Sequence, residues 1–404
     1  KCKNSSFKKN MKEQTNELEN NLKNNESVEK RDKKEKPLFT YCHDRIIKHN
    51  DTVMVKTLKF TFTKKIKSHK MITINKIKVP MKLIVGQEYD SWFIMDRKKK
   101  TIEKIDYYPH SHDYEYMDEK EEEKKDNRNL SLKHDNKQSL DCNDISLMRE
   151  SGSTEDMISA LKVNSNTFEN KTSFSQSKYI KRKKRKYDDY FTIIRPTTQE
   201  LLHYFVKHQL SRVEFFREDT LARMLHLAQI TVQSNVCCFD SCESILTSAV
   251  FERYQGKLPV LVRLAPQDTI GQNRQFLNDQ GIQLNQSTIE ELTLLKFKEK
   301  VEADPTTYAF DSVLFSSSKI QMWPLVELVW PCMVNCAMMV IHSKYRGPLE
   351  EIHEKLLEHR VAVNVELSES WYRPTQVLPG RTHPEMTYRG SSGWLLVVTK
   401  VRNF

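Results

Sequence analysis

A dense run of positive charge between Ser175 and Tyr187 is the part of the sequence best suited to a chemical role. Seven cations this close together repel one another, so the run favours a polyanion that would neutralise them. Its tyrosines offer flat faces on which bases could stack. The predicted RNA-binding residues of the run are Lys178, Tyr179, Lys181, Arg182, Lys183, Lys184, Arg185, Lys186 and Tyr187. The letters KRKKRK also suit a nuclear import signal, and the two uses are not exclusive.

Residue pairs that could perform covalent or acid–base catalysis are weak in this sequence. Ser316 and Lys319 have the Ser-x-x-Lys spacing of a nucleophile pair, but a serine cluster before a helix is more often its cap. His353 and His359 are six residues apart, whereas two ligands on one helix face need a spacing of four. We therefore predict no catalytic residues.

The eight cysteines are scattered along the chain, which is unlike a secreted disulfide framework and favours a reducing compartment. Five of them could be gathered into a zinc site, but they lie in apolar segments that are typical of buried core thiols. These five are Cys237, Cys238, Cys242, Cys332 and Cys336. We predict no metal site.

Size and composition indicate several domains in a soluble protein. The chain has 404 residues and a formal charge of +11, with 38% hydrophobic residues and only 9 Gly. This length predicts about two or three domains. No window approaches the roughly 18 apolar residues of a membrane span, and the first residues lack a hydrophobic signal core. We expect an intracellular protein without a membrane partner, and the KRKKRK run predicts the nucleus.

Changes in composition divide the chain into five segments. The pattern predicts a disordered tail, a small β-barrel-like domain of alternating apolar residues, a charged linker, a helical basic connector and a Rossmann-like domain. Their predicted bounds are 1–36, 37–108, 109–152, 153–195 and 196–404. In the last segment apolar strands alternate with helices, which indicates a mainly parallel sheet covered on both faces. The predicted fold class is therefore α/β.

The strands of the Rossmann-like segment are predicted near 236–239, 260–264, 313–315, 338–341, 362–367 and 394–401. Helices are predicted near 201–206, 220–227, 244–254, 289–302, 322–330 and 348–358. A nucleotide cofactor would bind at the turn after the first of these strands, where glycines let the backbone approach the ligand. That turn, Asp240 to Ser244, contains no glycine, so we predict no cofactor site.

Several separated motifs occur in the order found in one known family. Between Ala160 and Thr198, an Asn-Ser-x-Thr-Phe and a Lys-Thr-x-Phe stretch precede the lysine run and an Arg-Pro-Thr step. The sequences REDTLARML, WYR, QVLP, RTHPEM and GSSGW follow, beginning at residues 217, 371, 376, 381 and 390. Over about residues 140 to 404 the chain resembles the Gcd10p family, the non-catalytic subunit of the tRNA (adenine-58-N1)-methyltransferase.

The resemblance implies a degenerate methyltransferase fold that holds tRNA while a catalytic partner binds S-adenosylmethionine and methylates the T-loop adenine. It also implies a heterotetramer with two copies of each subunit. Four further residues, Arg373, Arg381, His383 and Arg389, fall in a segment that the resemblance places at a functional surface, for RNA or equally for the partner.

Two other functions remain open at this point. A self-sufficient RNA methyltransferase with a divergent cofactor turn would fit the alternation of strands and helices. A non-enzymatic nuclear adaptor would fit a basic run that serves only as an import signal.

Overall fold

The computed structural model describes residues 45–97, 99–106, 138–151, 154–265, 274–282, 289–377, 382–386, 388 and 390–404. The predicted disordered tail, 1–36, lies outside these residues, as does most of the predicted charged linker. Within the described residues, no helix is both long and apolar enough to span a lipid bilayer.

The N-terminal part is an open antiparallel sheet with a hairpin against one face. Its strands are β1 (Thr52–Thr57), β2 (Thr61–Lys65), β3 (Met71–Ile74), β4 (Ile77–Pro80), β5 (Ser91–Asp96), β6 (Thr101–Ile105) and β7 (Tyr190–Ile194). Five of them form a sheet of order β2-β1-β7-β5-β6, and β3 pairs only with β4. Alternation of apolar and polar residues directs one side of each strand inward. The hairpin and the sheet thereby share one core, which includes Val55, Ile72, Val79, Phe93 and Phe191.

The prediction of a small barrel is not confirmed. In the described residues β2 and β6 are the two edges of the five-stranded sheet, so the sheet does not close. Its central strand, β7, lies inside the segment 153–195 that we predicted to be helical. Local sequence does not reveal β7 because its pairing partners β1 and β5 are far away along the chain.

Among the described residues, three helices precede β7: α1 (Cys142–Ser151), α2 (Thr154–Val163) and α3 (Ser173–Tyr187). The third contains the whole basic run. The hydroxyl of Thr172 accepts a hydrogen bond of 3.3 Å from the backbone N–H of Ser175 and caps the start of α3. Buried Met157 and Leu161 of α2 pack with Tyr187 at the end of α3. The basic run is thus a regular helix with one apolar contact face.

The C-terminal part is a seven-stranded mixed sheet with helices along the chain between its strands. Its strands are β8 (Asn235–Asp240), β9 (Val260–Ala265), β10 (Ile289–Thr293), β11 (Phe310–Ser316), β12 (Met333–Ser343), β13 (Ala362–Trp371) and β16 (Ser391–Lys400), with β14 (Thr375–Gln376) and β15 (His383–Pro384) forming a separate short pair. Its helices are α4 (Thr198–His208), α5 (Glu218–Leu227), α6 (Ile245–Tyr254), α7 (Gln275–Gln280), α8 (Leu294–Ala303), α9 (Trp323–Val329) and α10 (Gly347–His359).

The strand order, β10-β9-β8-β11-β12-β16-β13, is that of a doubly wound sheet whose order reverses between β8 and β11. Strands β8 to β12 pair in parallel, whereas β16 pairs antiparallel with both β12 and β13. The predicted α/β class and Rossmann-like core are confirmed. One predicted helix, 289–302, is wrong at its start, because Ile289–Thr293 pairs with β9 as a strand and Thr293 then caps α8.

Candidate functional site: a basic helix and a closed cofactor edge

Helix α3 presents four of its seven cations on one face. Lys178, Lys181, Arg182 and Lys186 are exposed, and they recur at the spacing of three and four residues that aligns side chains along a helix. No carboxylate among the described residues forms an ion pair with Lys178, Arg182 or Lys186. These four side chains form a positively charged strip along one side of the helix. Such a strip is suited to binding the phosphate backbone of a nucleic acid.

The neighbouring face of α3 is used for packing, and Lys186 borders it, with Nζ 4.9 Å from the centre of the Tyr187 ring. Tyr179, Lys183 and Tyr187 follow one another every four residues, and the ammonium group of Lys183 lies 5.2 Å and 5.9 Å from the centres of the two tyrosine rings. Tyr187 is only 4% exposed and packs on Met157 and Leu161. The hydroxyl of Tyr179 donates to the carbonyl oxygen of Leu161 at 3.3 Å. Tyr187 is therefore buried in the helix packing, and the predicted stacking of an RNA base on its ring does not fit the structure.

Lys183 is half-buried beside other cations of α3. Burial lowers the pKa of this ammonium group, and the positive charges of Lys186 and Arg182 lower it further. Burial likewise raises the pKa of the Tyr179 phenol. Lys184 is half-buried, and the side chain of Arg185 lies outside the described residues. RNA binding by the cations of the run stays a prediction.

The four C-terminal candidates lie on other elements. Arg373 follows β13, with its guanidinium carbon 5.9 Å from the centre of the Trp371 ring. Its buried Nε makes no hydrogen bond within the described part of the chain. His383 is exposed on β15, and Nδ1 lies 2.9 Å from the carbonyl oxygen of Pro384. Arg381 and Arg389 lie outside the described residues.

The turn after β8 has a backbone conformation that glycine usually adopts, although the turn contains no glycine. Glu243 and Ser244 have φ angles of 61° and 65°, in the left-handed region that a side chain rarely adopts. The buried carboxylate of Asp240 holds the turn, because it accepts hydrogen bonds from the backbone N–H groups of Cys242, Ser244 and Leu246 at 3.1, 2.8 and 3.1 Å. Burial raises the pKa of Asp240, with the charge of Arg263 opposing it. The backbone amides of Cys242, Ser244 and Leu246 are thus already hydrogen-bonded to a side chain of the protein itself.

A buried arginine lies beneath the same turn. Arg263 in β9 is 1% exposed, and its Nε donates to the hydroxyl of Ser244 at 2.8 Å. Its guanidinium also pairs with Glu291, which is shared with Arg274. In dinucleotide-binding folds a carboxylate about 20 residues after the first turn binds the ribose, whereas β9 here ends at Ala265. Within the described residues, the end of β9 therefore offers no carboxylate to a ribose.

A second contact closes the edge from the other side. Buried Glu214 accepts a hydrogen bond from the hydroxyl of Ser241, whose oxygen also lies 3.1 Å from the hydroxyl oxygen of Ser317. Arg212 donates to Glu243 from Nε and Nη2 at 3.1 and 2.7 Å. Hydrogen bonds therefore hold the segment of Arg212 and Glu214 against the turn after β8. A ligand that approached the backbone of this turn closely would have to break them.

Within the described residues, Ser316 makes no hydrogen bond with Lys319, and His353 makes none with His359. Ser316 is fully buried, and its hydroxyl lies 2.9 Å from Nδ1 of His342, while Ser317 accepts from the backbone N–H of Lys319 at 3.1 Å. His353 is half-buried on α10, whereas His359 is exposed and stacks on Trp323 at 6.2 Å. Serine capping a turn is thus the role that the geometry gives to this cluster.

The cysteines are mostly core residues. Cys237, Cys238, Cys242 and Cys332 are buried, and Cys336 is exposed. Burial raises the pKa of the first three thiols well above their ordinary value, which favours the protonated form rather than the thiolate that binds metal. In the part of the chain that is described, no group of three potential ligands could hold an ion.

His342 is a buried group that sequence patterns do not single out, and it gives a pH prediction. Nε2 lies 2.8 Å from the carbonyl oxygen of Ser392, and burial lowers the pKa of the ring from 6.5 to about 4. The unfolded histidine binds a proton at higher pH than the folded one, so stability falls between about pH 6.5 and pH 4. We expect His342 to account for a loss of about 2 kcal/mol between pH 7.5 and pH 5.

The measurement is urea unfolding of the native chain and of His342→Gln at both pH values. The amide can keep one hydrogen bond but does not titrate, so the difference between the two proteins isolates the histidine. An identical pH dependence in both proteins would contradict the prediction.

Comparisons with known proteins agree with this geometry. The model of the Gcd10p family matches residues 46–349. The tRNA (adenine(58)-N(1))-methyltransferase non-catalytic subunit trm6 of Dictyostelium discoideum is 27% identical over 394 aligned positions, covering 83% of this chain and 75% of that protein. The corresponding mouse (Mus musculus) subunit is 24% identical over 457 aligned positions, covering 89% and 88%.

The solved SAM-dependent O-methyltransferase of Thermotoga maritima has a similar fold. Its TM-score is 0.51 at 10% identity, and the match covers 89% of this chain and 96% of that one. At this identity the likeness shows the fold alone, which is that of a methyltransferase domain. The family model, by contrast, covers more than half of the present sequence. The chain belongs to the Gcd10p family.

Proposed function

We propose that this chain is the non-catalytic, tRNA-binding subunit of a tRNA (adenine-58-N1)-methyltransferase. In this role it positions the T-loop adenine for methylation at N1 by a catalytic partner subunit. The observation that carries the proposal is the closed cofactor edge, where Arg263, Glu214 and the non-glycine turn at Glu243 and Ser244 take the place of a ligand site. The names of the relatives supply the reaction and the non-catalytic role.

In this proposal S-adenosylmethionine binds only to the partner. The backbone amides that a cofactor would need are bonded to Asp240, and a cation rather than a carboxylate lies beneath the turn. A methyltransferase fold without a cofactor site can still contribute shape and charge to a complex.

The tRNA contacts begin with the exposed strip of α3. Lys178, Lys181, Arg182 and Lys186 would bind phosphates, which gives affinity and position rather than base specificity. Lys183 is held between two tyrosine rings and contributes to the local potential. Arg373 and His383, with Arg381 and Arg389 in the same segment, are the second set of proposed contacts.

The proposal includes a heterotetramer with two copies of each subunit and a nuclear location. The location rests on the basic run alone, because a short cluster of lysines and arginines is also the signal read by nuclear import receptors.

The test uses the chain alone and co-purified with the catalytic subunit of the same organism. We expect no S-adenosylmethionine binding by the chain alone in calorimetry, and methylation of a tRNA transcript only by the mixture. Light scattering of the complex should give the mass of two 47.7 kDa chains plus two partner chains.

A transcript with guanosine in place of adenosine at position 58 is the matched substrate control and should accept no methyl group. Tight cofactor binding by the isolated chain, with methylation in the absence of a partner, would instead indicate a self-sufficient methyltransferase. A complex that methylates tRNA equally well without this chain would also contradict the proposal.

A further inference from the structure

The N-terminal sheet domain carries much of the excess charge of the protein. Residues 45–106 contain 16 Lys and Arg against 6 Asp and Glu, a formal charge of +10, while the whole chain has +11. Between Asp51 and Glu88 there are nine lysines and no acidic residue. The run from Ser175 to Tyr187 adds seven more cations and no acid, so the remainder of the chain is net negative. The excess positive charge is therefore concentrated in two segments.

The hairpin β3–β4 directs part of this charge outward. Ile72, Ile74, Ile77 and Val79 point into the core, so the alternate positions face solvent. At one end the backbone N–H of Met81 donates to the carbonyl oxygen of Lys70 at 2.9 Å, which brings the segments of Lys70 and Lys82 together. Four lysines of the hairpin and of the segments that flank it are exposed: Lys78 on β4, and Lys70, Lys76 and Lys82 outside the two strands.

The other end of the hairpin touches the basic helix. The side-chain amide of Asn75, in the β3–β4 turn, donates to the carbonyl oxygen of Asp188 at 2.7 Å, and Asp188 directly follows α3. Both carboxylates at this junction are engaged: Asp188 is 4% exposed and accepts from the backbone N–H of Tyr190 at 3.0 Å, and Asp189 pairs with Arg97. The two positive segments therefore meet without an available negative charge between them.

Some lysines of the domain have a structural explanation. Lys64 and Lys65 lie on β2, an edge strand, where lysines commonly prevent pairing with other chains. Lys56 and Lys104 form ion pairs with Glu200 and Glu88. The edge-strand explanation also covers Lys78, because β3 and β4 form a sheet of two strands. It does not cover Lys70, Lys76 and Lys82, which lie outside these strands. No carboxylate in the described part of the chain forms an ion pair with any of the four.

From these observations we infer that Lys70, Lys76, Lys78 and Lys82, here called the hairpin lysine surface, bind the phosphate backbone of the tRNA beside α3. The inference rests on the proposed function, because it assigns a second part of the tRNA-binding surface. A surface of lysines without exposed aromatic partners contacts phosphates independently of sequence. The N-terminal domain thus has a binding role of its own rather than serving only as a support for the Rossmann-like domain.

The test is tRNA binding by the co-purified complex as a function of salt, with the four hairpin lysines replaced by glutamine. Each phosphate contact that is removed lowers the slope of log K against log salt by about 0.7 to 0.9, so four contacts give a flattening of about 3. The paired variants Lys70→Gln/Lys82→Gln and Lys76→Gln/Lys78→Gln should each give about half of it. Melting curves check that the exposed substitutions preserve the fold.

The matched control replaces four exposed lysines of the Rossmann-like domain, Lys207, Lys257, Lys296 and Lys298, by glutamine, which removes the same net charge. We expect the slope of this control to equal that of the wild type. Equal slopes for the hairpin variant and the wild type would overturn the inference, and so would equal flattening in the control. Loss of the partner subunit by the hairpin variant alone would also overturn it, because the surface would then bind protein.

The wild-type complex separates this inference from the proposed function. If the wild type binds and methylates tRNA while the hairpin variant behaves like the wild type, the inference fails and the proposed function stands. If the wild type neither binds nor methylates tRNA, both fail.

Discussion

Replacing Glu291 with leucine is expected to lower the free energy of unfolding by about 3–5 kcal/mol, the usual range for removing one partner of a buried ion pair. The Glu291 side chain is 4% exposed and lies between Arg263 and Arg274, whose guanidinium groups both pair with it. Without the carboxylate, the charge of Arg263 remains buried and loses its ion-pair partner, while its hydrogen bond to Ser244 and its attraction to Asp240 remain. Urea unfolding at neutral pH measures the effect.

Two variants serve as controls for the Glu291 prediction. Glu290→Gln removes the neighbouring, more exposed carboxylate that pairs with Lys300, and we expect a change below about 1 kcal/mol. In the double variant Arg263→Met/Glu291→Leu both members of this ion pair are gone, and much of the stability should return because burial keeps Asp240, the remaining acid near Arg263, closer to its neutral form. A double variant less stable than Glu291→Leu alone would show that the cost has another origin.

Replacing the four exposed cations of α3, Lys178, Lys181, Arg182 and Lys186, by alanine is expected to weaken tRNA binding by the complex. Because these side chains no longer neutralise four phosphates, we expect a fall in affinity on the order of 10²-fold at about 0.15 M salt and a flattening of the salt slope by about 3. Alanine favours helix, so α3 itself should persist. Filter binding or fluorescence anisotropy over a range of salt concentrations gives both quantities.

The four-lysine control of the Rossmann-like domain applies here as well and should leave affinity within about twofold. A slope that does not change in the α3 variant would favour the adaptor function, in which the run is only an import signal. The same variant, fused to a fluorescent protein in cells, tests that use: we expect loss of nuclear accumulation, and retained accumulation would contradict the nuclear proposal.

Local patterns in the sequence predict most of the Rossmann-like sheet. Strands such as 236–239 and 313–315 are short apolar runs between segments with helical periodicity. Such runs can be recognised from the local sequence without information about distant contacts. The strand Ile289–Thr293 is mistaken for helix because five residues with two central glutamates also fit a helical period. Strand β7 escapes prediction for a different reason, since only its pairing with β1 and β5 makes it the centre of a sheet.

The candidate site is predictable in part. The missing glycines between Asp240 and Ser244 indicate a lost cofactor turn, whereas the positive φ angles of Glu243 and Ser244 require the backbone itself. Arg263 has a signal in the sequence, an arginine inside the apolar run VLVRLA, but its partner Glu291 is distant along the chain. Burial of Tyr187 depends on helix α2 and cannot be deduced from the run.

The late position of β7 in the chain has a consequence for synthesis on the ribosome. Strands β1, β2, β5 and β6 are all made before the helices α1 to α3, and β7 emerges only after them. Until β7 is made, β1 and β5 each lack the strand that pairs with both of them. One edge of each strand therefore has unpaired backbone hydrogen-bonding groups until residues 190–194 are added. Insertion of β7 as the central strand therefore completes the N-terminal sheet, and because β7 follows α3 after two residues, the same insertion positions the end of the basic helix.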